Sequence, residues 1–166
     1  IIKEASRNYR VWILFISYAA CFGIEIFMHN VVTMYYVQKF NFGLKEAGMA
    51  AGIFGLLALF ARALGGILSD KFALKRGLDA RTEILFFMIL GEGLFLMLFS
   101  QMNAPVMAIL SMTLFGLFTH MACGATYALV PFIDRKALGG VAGIIGAGGN
   151  VGAVAAGFIF KSMPDL

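Results

Sequence analysis

Charged residues are scarce in this chain. They make up 13% of its 166 residues, whereas 61% are apolar, and a soluble domain needs a much larger polar shell. The net charge of +4 is small and its charges are scattered, which argues against a nucleic-acid-binding protein. The composition therefore predicts an integral membrane protein, embedded in a lipid bilayer.

Cysteine and histidine are also rare. Cys21 and Cys123 both lie in apolar runs, where a free thiol behaves as a small hydrophobic residue, so we expect no disulfide and no metal site. His29 and His120 are far apart in the chain, and we expect His120 to be an ordinary histidine of a helix bundle. No catalytic grouping or phosphate-binding loop is evident, so we expect neither an enzyme nor a cofactor. No lysine lies inside an apolar segment, which argues against a retinal-type photoreceptor.

Long apolar segments, by contrast, are abundant. About 20 apolar residues cross the hydrocarbon core of a bilayer, and five segments approach or exceed that length: 11–37, 47–68, 84–100, 105–130 and 138–160. Lipid offers no partner for backbone N–H and C=O groups, so each segment is predicted to be a helix. The predicted fold is an all-α, polytopic transmembrane helix bundle over residues 11–166, preceded by a cytoplasmic lead-in at residues 1–10.

The basic residues predict the orientation of the bundle. Alternate connections hold most of them, and the other connections hold only Lys39, Lys45 and Lys161. The positive-inside rule then places the N-terminus in the cytoplasm and the C-terminus outside. The basic connections contain Lys3, Arg7, Arg10, Lys71, Lys75, Arg76, Arg81, Arg135 and Lys136. The chain begins with isoleucine and has no recognisable signal peptide, so we expect an internal fragment of a longer protein.

Arg62 is the only charged residue of the segment 47–68. A charge at that depth costs about 2.5–3.5 kcal/mol, so an intramembrane arginine indicates a functional site that supplies an anion. The neighbouring Ala61, Ala63, Gly65 and Gly66 are small and fit a cavity wall. The alternative is that the long side chain snorkels to the membrane surface.

Other residues lie at about the same estimated depth in the membrane as Arg62. At about 1.5 Å per residue, Arg62 and Tyr18 lie roughly 10 and 12 Å from the cytoplasmic ends of their segments, and Gly146 lies at a similar depth. The fifth segment around Gly146 also contains Asn150 and is rich in glycine: Gly139, Gly140, Gly143, Gly146, Gly148, Gly149, Gly152 and Gly157. Small residues at four-residue spacing indicate tight helix packing. A second possibility is a smooth surface for ligand contact and helix sliding.

Two acidic residues also lie within the segments. Glu25 and His29 are four residues apart and so share one face of a helix. They form either a proton relay or a neutral hydrogen-bonded pair that fixes helix contacts. Glu92 lies in the middle of the third segment and has no assigned role.

Asp70, followed by Lys71 near a segment end, is expected to form an electrostatic latch to a neighbouring helix terminus.

Several motifs resemble one family of transporters. Gly65-Gly-Ile-Leu-Ser-Asp70-Lys71 resembles the Gly-x-x-x-Asp-Arg/Lys loop of the major facilitator superfamily, although Ala73 stands where that loop usually has glycine. Residues 142–152 resemble the second nitrate signature of the nitrate/nitrite porter family. The stretches 8–12, 18–25, 30–32 and 59–66 are similar to its eukaryotic high-affinity branch.

This resemblance implies the fold and the site. The five segments would correspond to the seventh to eleventh helices of a twelve-helix transporter, whose N-terminal half lies outside this chain. Arg62 would clamp the anion, with Tyr18 lining the same cavity. The glycine-rich signature would lie beside the substrate and comprises Gly146, Gly148, Gly149, Asn150 and Gly152. The gating loop would comprise Gly66, Asp70 and Lys71.

The resemblance also implies a function. The protein would carry nitrate, or nitrate and nitrite, into the cell by alternating access, with proton-coupled uptake expected. Glu25 and His29, from their spacing on one helix face, are the candidates for that coupling. It would lie in the plasma membrane, and some similar proteins require an accessory membrane protein. Two alternatives remain open: a porter of another small anion on the same fold, and a membrane nitrate sensor that does not transport.

Overall fold

The computed structural model describes residues 2–163, which form helices and no β-strand. A short helix, α1 (Ile2–Ala5), precedes five long helices: α2 (Tyr9–Phe40), α3 (Leu44–Arg76), α4 (Leu78–Ser100), α5 (Pro105–Leu129) and α6 (Leu138–Ser162), with a 3₁₀ turn at Val130–Phe132. Five helices are apolar and long enough to cross a membrane, so the predicted all-α fold with five spans is confirmed. Residue 1 and residues 164–166, which the prediction assigned to the lead-in and the bundle, lie outside the described residues.

Helices α3 and α4 extend well beyond the apolar segments that predicted them. The segments ended at residue 68 and resumed at residue 84, whereas α3 continues to Arg76 and α4 begins at Leu78. Gly77 alone separates the two helices, with a φ of 78° that glycine adopts without strain. A helix continues as long as its backbone hydrogen bonds do. The charged turns beyond the apolar segment are therefore helical.

Close backbone contacts hold the helices together at two interfaces. On the α2–α6 side, a Cβ added to Gly23 would lie 2.6 Å from the carbonyl carbon of Gly152, and Gly152 itself packs against the backbone of Ala19. On the α3–α5 side, Gly124 packs directly against the carbonyl group of Arg62. Only glycine permits such approach. The second contact fixes the backbone of Arg62 against α5.

Helix α5 lies at the centre of the bundle, in contact with α2, α3 and α4. Its polar residues Thr119, His120 and Thr126 are completely buried. The outer faces carry large apolar side chains instead, such as Phe60 of α3 and Phe158 of α6, which are about 70% exposed and suited to contact lipid. A polar site within the bundle is therefore expected along α5, at its contacts with α2, α3 and α4.

Candidate functional site

Arg62 of α3 forms an ion pair with Glu25 of α2. Its Nη2 donates hydrogen bonds to Oε1 at 2.6 Å and to Oε2 at 2.8 Å. The side chain of Glu25 is only 5% exposed, so the pair lies inside the bundle. This contact is incompatible with an arginine that snorkels to the membrane surface. The sequence predicted an anion beside Arg62, but it did not identify Glu25 as one.

The true helix ends explain why this pair was missed. Depth counted from the apolar segments placed Arg62 level with Tyr18, whereas α3 continues to Arg76 and α2 begins at Tyr9. Counted from those ends, Arg62 lies about 21 Å and Glu25 about 24 Å from the same side of the bundle. The arginine and the carboxylate therefore share a level, and the tyrosine lies about two helical turns nearer the end.

The guanidinium group of Arg62 retains donors that Glu25 does not use. Its Nε is buried without a hydrogen-bond partner, and its Nη1 makes no hydrogen bond to any residue in the range 2–163. The side chain is 39% exposed, and its guanidinium carbon lies 5.2 Å from the ring centroid of Phe22, within range of a cation–π interaction. Two donor nitrogens of Arg62 thus lack a protein partner, and Nε can reach an anion only if the side chain moves.

Aromatic rings extend from Phe22 away from the arginine. Tyr18 stacks on Phe22 with ring centroids 5.0 Å apart, and Tyr127 of α5 meets Tyr18 edge-on at 5.0 Å. Two glycines of α6 adjoin these rings. A Cβ added to Gly149 would lie 3.1 Å from Tyr18, and one added to Gly146 would lie 3.2 Å from the hydroxyl oxygen of Tyr127. The predicted residues Tyr18, Gly146 and Gly149 therefore gather around one aromatic cluster beside the arginine.

The other three residues of the predicted glycine-rich signature lie elsewhere on α6. A Cβ added to Gly148 would lie 2.6 Å from the carbonyl oxygen of Phe15, and Gly152 packs on the backbone of Ala19. Both glycines are explained by the close approach of α6 to α2. Asn150 is exposed and makes no hydrogen bond among the residues that the structure describes. The fold does not bring these three residues to Arg62.

Glu25 has further polar neighbours besides Arg62. His29, its predicted partner, has Nε2 3.9 Å from Oε1 and a side chain that is 42% exposed. From α5, Nδ1 of His120 lies 3.3 Å from Oε2, and the thiol of Cys123 donates to Oε2 at 3.5 Å. The Glu25–His29 distance exceeds that of a hydrogen bond, so His120 is the nearer histidine. The sequence offered no signal for this contact, because it depends on how α5 packs on α2.

Asp70 of the predicted gating loop pairs with Arg81 of α4. Nη1 of Arg81 donates to Oδ1 of Asp70 and lies 3.4 Å from Oγ of Ser69. The guanidinium carbon lies 4.6 Å from the ring centroid of Phe132, and the Arg81 side chain is only 10% exposed. We expected Asp70 to form a latch to a helix terminus. Its partner is instead the side chain of Arg81, near the start of α4. The contact ties the end of α3 to α4 and to the 3₁₀ turn.

Several singled-out residues acquire no partner that suggests a role. A Cβ added to Gly66 would meet open space, and Lys71 is exposed without an ion pair in the described part of the chain. Glu92 is buried, and both of its carboxyl oxygens lack a hydrogen-bond partner within the described range. Cys21 and Cys123 form no disulfide, although Cys123 contacts Glu25. Among residues 2–163 there is no group of three or more His, Cys, Asp or Glu side chains suited to a metal ion.

The fold and the site together define a class of protein. Five helices suited to span a membrane, with an arginine–carboxylate pair between them, are characteristic of polytopic integral membrane proteins that bind or move ions. Comparison with known proteins then gives the family. The family model of the Major Facilitator Superfamily matches residues 2–162, and the chain belongs to this superfamily. The resemblance noted in the sequence is thereby confirmed.

Named relatives lie within one group of transporters. The chain is 38% identical over 160 residues to high affinity nitrate transporter 2.5 of Arabidopsis thaliana, covering 96% of this chain and 32% of the relative. It is 38% identical over 154 residues to nitrate transporter 2.2 of Chlamydomonas reinhardtii (92% and 30%). It is 32% identical over 154 residues to nitrate/nitrite transporter NrtP of Nostoc punctiforme (92% and 30%). The chain thus spans about a third of the length of these relatives. No solved structure matches it significantly.

Proposed function

We propose that this chain forms part of a transporter that carries nitrate, with nitrite as a second substrate, and that Arg62 binds the anion. The observation that carries the proposal is an arginine held between the spans, with a side chain that is 39% exposed and an Nη1 that makes no hydrogen bond within residues 2–163. A planar guanidinium donates parallel hydrogen bonds to two oxygens of a planar oxyanion. Each parallel pair of donors includes Nη2, which Glu25 holds, so an anion bound in this way displaces Glu25. The names of the relatives indicate which oxyanion.

The charge balance of the site supports coupling to protons. Arg62 and an ionised Glu25 neutralise each other, so an anion that binds alone leaves a net negative charge inside the bundle. At about 5 Å and an effective dielectric constant near 20, the anion and the carboxylate repel by about 3 kcal/mol. A proton on Glu25 removes this repulsion and releases the arginine. Anion binding therefore requires a proton at the site, as proton-coupled uptake requires.

Alternating access needs a second wall opposite this bundle. In membrane transporters of this kind, two halves rock around a central site, and we assign the second half to the part of the protein outside this chain. Arg62 is 39% exposed although its carboxylate partner is buried, which suits a residue that faces such a cavity. We assign the end of the bundle that carries Arg76, Arg81 and Arg135 to the cytoplasmic side. We assign the protein to the plasma membrane.

Flux through reconstituted vesicles tests the proposal. The full-length protein that contains this chain is purified into proteoliposomes, and nitrate uptake is measured with and without an inward proton gradient. We expect uptake above that of empty vesicles and acceleration by the gradient. Nitrate binding without flux would instead identify a sensor. Failure of nitrate to compete with transport of a different small anion would identify another anion porter.

A further inference from the structure

We propose that His120, with Glu25, forms the site that binds the coupled proton, and that His120 passes this proton to Glu25 when an anion occupies Arg62. The inference rests on the proposed function, because it describes how the same site exchanges its charges. It assigns the role to the buried histidine of α5 and not to His29, the exposed neighbour on α2.

The hydrogen bonds of His120 determine where its protons lie. The ring is completely buried, and its Nε2 lies 2.9 Å from the carbonyl oxygen of Phe54. A carbonyl oxygen only accepts, so Nε2 carries a hydrogen. The other nitrogen, Nδ1, lies 3.3 Å from Oε2 of Glu25. A neutral ring with Nε2–H would place a bare lone pair against a carboxylate oxygen.

A proton between the two groups resolves this conflict. Either Nδ1 is protonated and faces the carboxylate as an imidazolium, or Oε2 is protonated and faces the nitrogen lone pair. The two forms differ only in the position of one hydrogen across the 3.3 Å gap. The structure shows no hydrogen bond at Nδ1, so a small reorientation of the two groups is needed to align one. Glu25 and His120 therefore share one proton more than an ionised carboxylate and a neutral imidazole would hold.

The surroundings of Glu25 decide which form is populated. Arg62 of α3 and the Cys123 thiol of α5 both donate to the carboxylate and favour its ionised form. Buried Glu92 of α4 opposes it only when Glu92 is itself ionised, since two carboxylate charges repel. On α2, His29 lies 3.9 Å away and adds a weak attraction only when it is protonated. Arg62 is the strongest of these influences, and it is the group that an incoming anion engages.

The transfer follows from this competition. When an anion takes the donors of Arg62, Glu25 loses its cation. The Nδ1–H bond of His120 then breaks, an Oε2–H bond forms, and the electron pair of the N–H bond remains on Nδ1. His120 becomes neutral and keeps its Nε2–H bond to Phe54. When the anion leaves, Arg62 returns to the carboxylate, the Oε2–H bond breaks with its electron pair left on Oε2, and the proton passes to water in the space that the anion has left.

The test separates anion exchange from proton-driven accumulation. Full-length protein in proteoliposomes is assayed for nitrate counterflow at equal pH, which needs no net proton movement, and for uphill accumulation driven by a proton gradient. His120→Gln keeps a donor for the Phe54 carbonyl but does not take a proton at neutral pH. We expect counterflow within about threefold of wild type and a loss of accumulation of about tenfold or more, in the range of a lost proton-transfer group.

Thr126→Val is the matched control. Thr126 is fully buried on the same helix, and among the described residues its hydroxyl bonds only to the Ala122 carbonyl of that helix, so both activities should persist. His29→Gln tests the competing histidine. If His29→Gln loses accumulation while His120→Gln keeps it, the assignment to His120 is overturned. Full accumulation by His120→Gln overturns it as well.

The remaining outcomes are decided by Glu25→Gln. We expect Glu25→Gln to exchange nitrate at a rate that does not depend on pH. A pH dependence equal to that of wild type would contradict the shared-proton site. This comparison remains decisive even if His120→Gln does not fold. If Glu25→Gln and His120→Gln both fold but neither exchanges nitrate, the Glu25–His120 contact is structural and the inference fails. Absence of nitrate counterflow in the wild type would instead refute the proposed function itself.

Discussion

Replacing Glu25 by glutamine should strengthen nitrate binding. The carboxylate holds Nη2 of Arg62 through contacts of 2.6 and 2.8 Å, and nitrate must compete with it for that group. Because both contacts use one nitrogen, we count them as a single charge-assisted interaction of about 1.5–3 kcal/mol. Glu25→Gln retains the shape and removes the charge. The gain in nitrate affinity should therefore be about 10- to 100-fold.

Binding measured by titration in nanodiscs at several pH values checks this expectation. Wild-type affinity should rise on acidification, because a proton on Glu25 releases Arg62, whereas the affinity of Glu25→Gln should be high and independent of pH. Glu92→Gln controls for the loss of a buried carboxyl group as such, since no arginine among residues 2–163 contacts Glu92. Equal affinity and equal pH dependence in wild type and Glu25→Gln would refute the competition.

Three further predictions concern the site and the bundle. Arg62→Lys keeps the charge but loses the planar fork, so the apparent nitrate affinity in vesicle uptake should fall about 10-fold or more; an unchanged KM would contradict its role. Gly152→Ala forces a Cβ into the backbone of α2 and should destabilise the purified protein by about 1–3 kcal/mol in thermal unfolding. Gly157→Ala, in open space, should not. Asp70→Asn leaves the nearly buried Arg81 without its carboxylate, and should destabilise by about 1 kcal/mol in the same measurement, with no loss of nitrate affinity.

The helical architecture was predictable because lipid constrains it strongly. Any apolar run of spanning length must be helical, so the five segments predicted the helices α2 to α6 without knowledge of packing. Their ends were less predictable, because α3 continues through the charged turn to Arg76. That error of about two turns shifted the estimated depth of Arg62 and concealed its pairing with Glu25. Correspondence with the seventh to eleventh helices of a twelve-helix transporter stays a prediction.

The site was only partly predictable, since it combines residues from three helices. Arg62 was identified from its charge alone, because a lone cation in an apolar segment requires an explanation. His29 was favoured over His120 because residues four apart on one helix are neighbours by construction. The contact of His120 with Glu25 depends on the packing of α5 against α2 and α3, which local periodicity does not encode. Binding roles for Tyr18 and the glycines stay predictions.

The most direct test of the central claim is a structure of the full-length transporter with nitrate bound. We expect nitrate oxygens at about 2.9 Å from the Arg62 guanidinium nitrogens, with the Arg62–Glu25 contact lengthened or broken. A nitrate site elsewhere, with the Arg62–Glu25 pair intact at 2.6 to 2.8 Å, would contradict the assignment of Arg62 as the anion-binding residue.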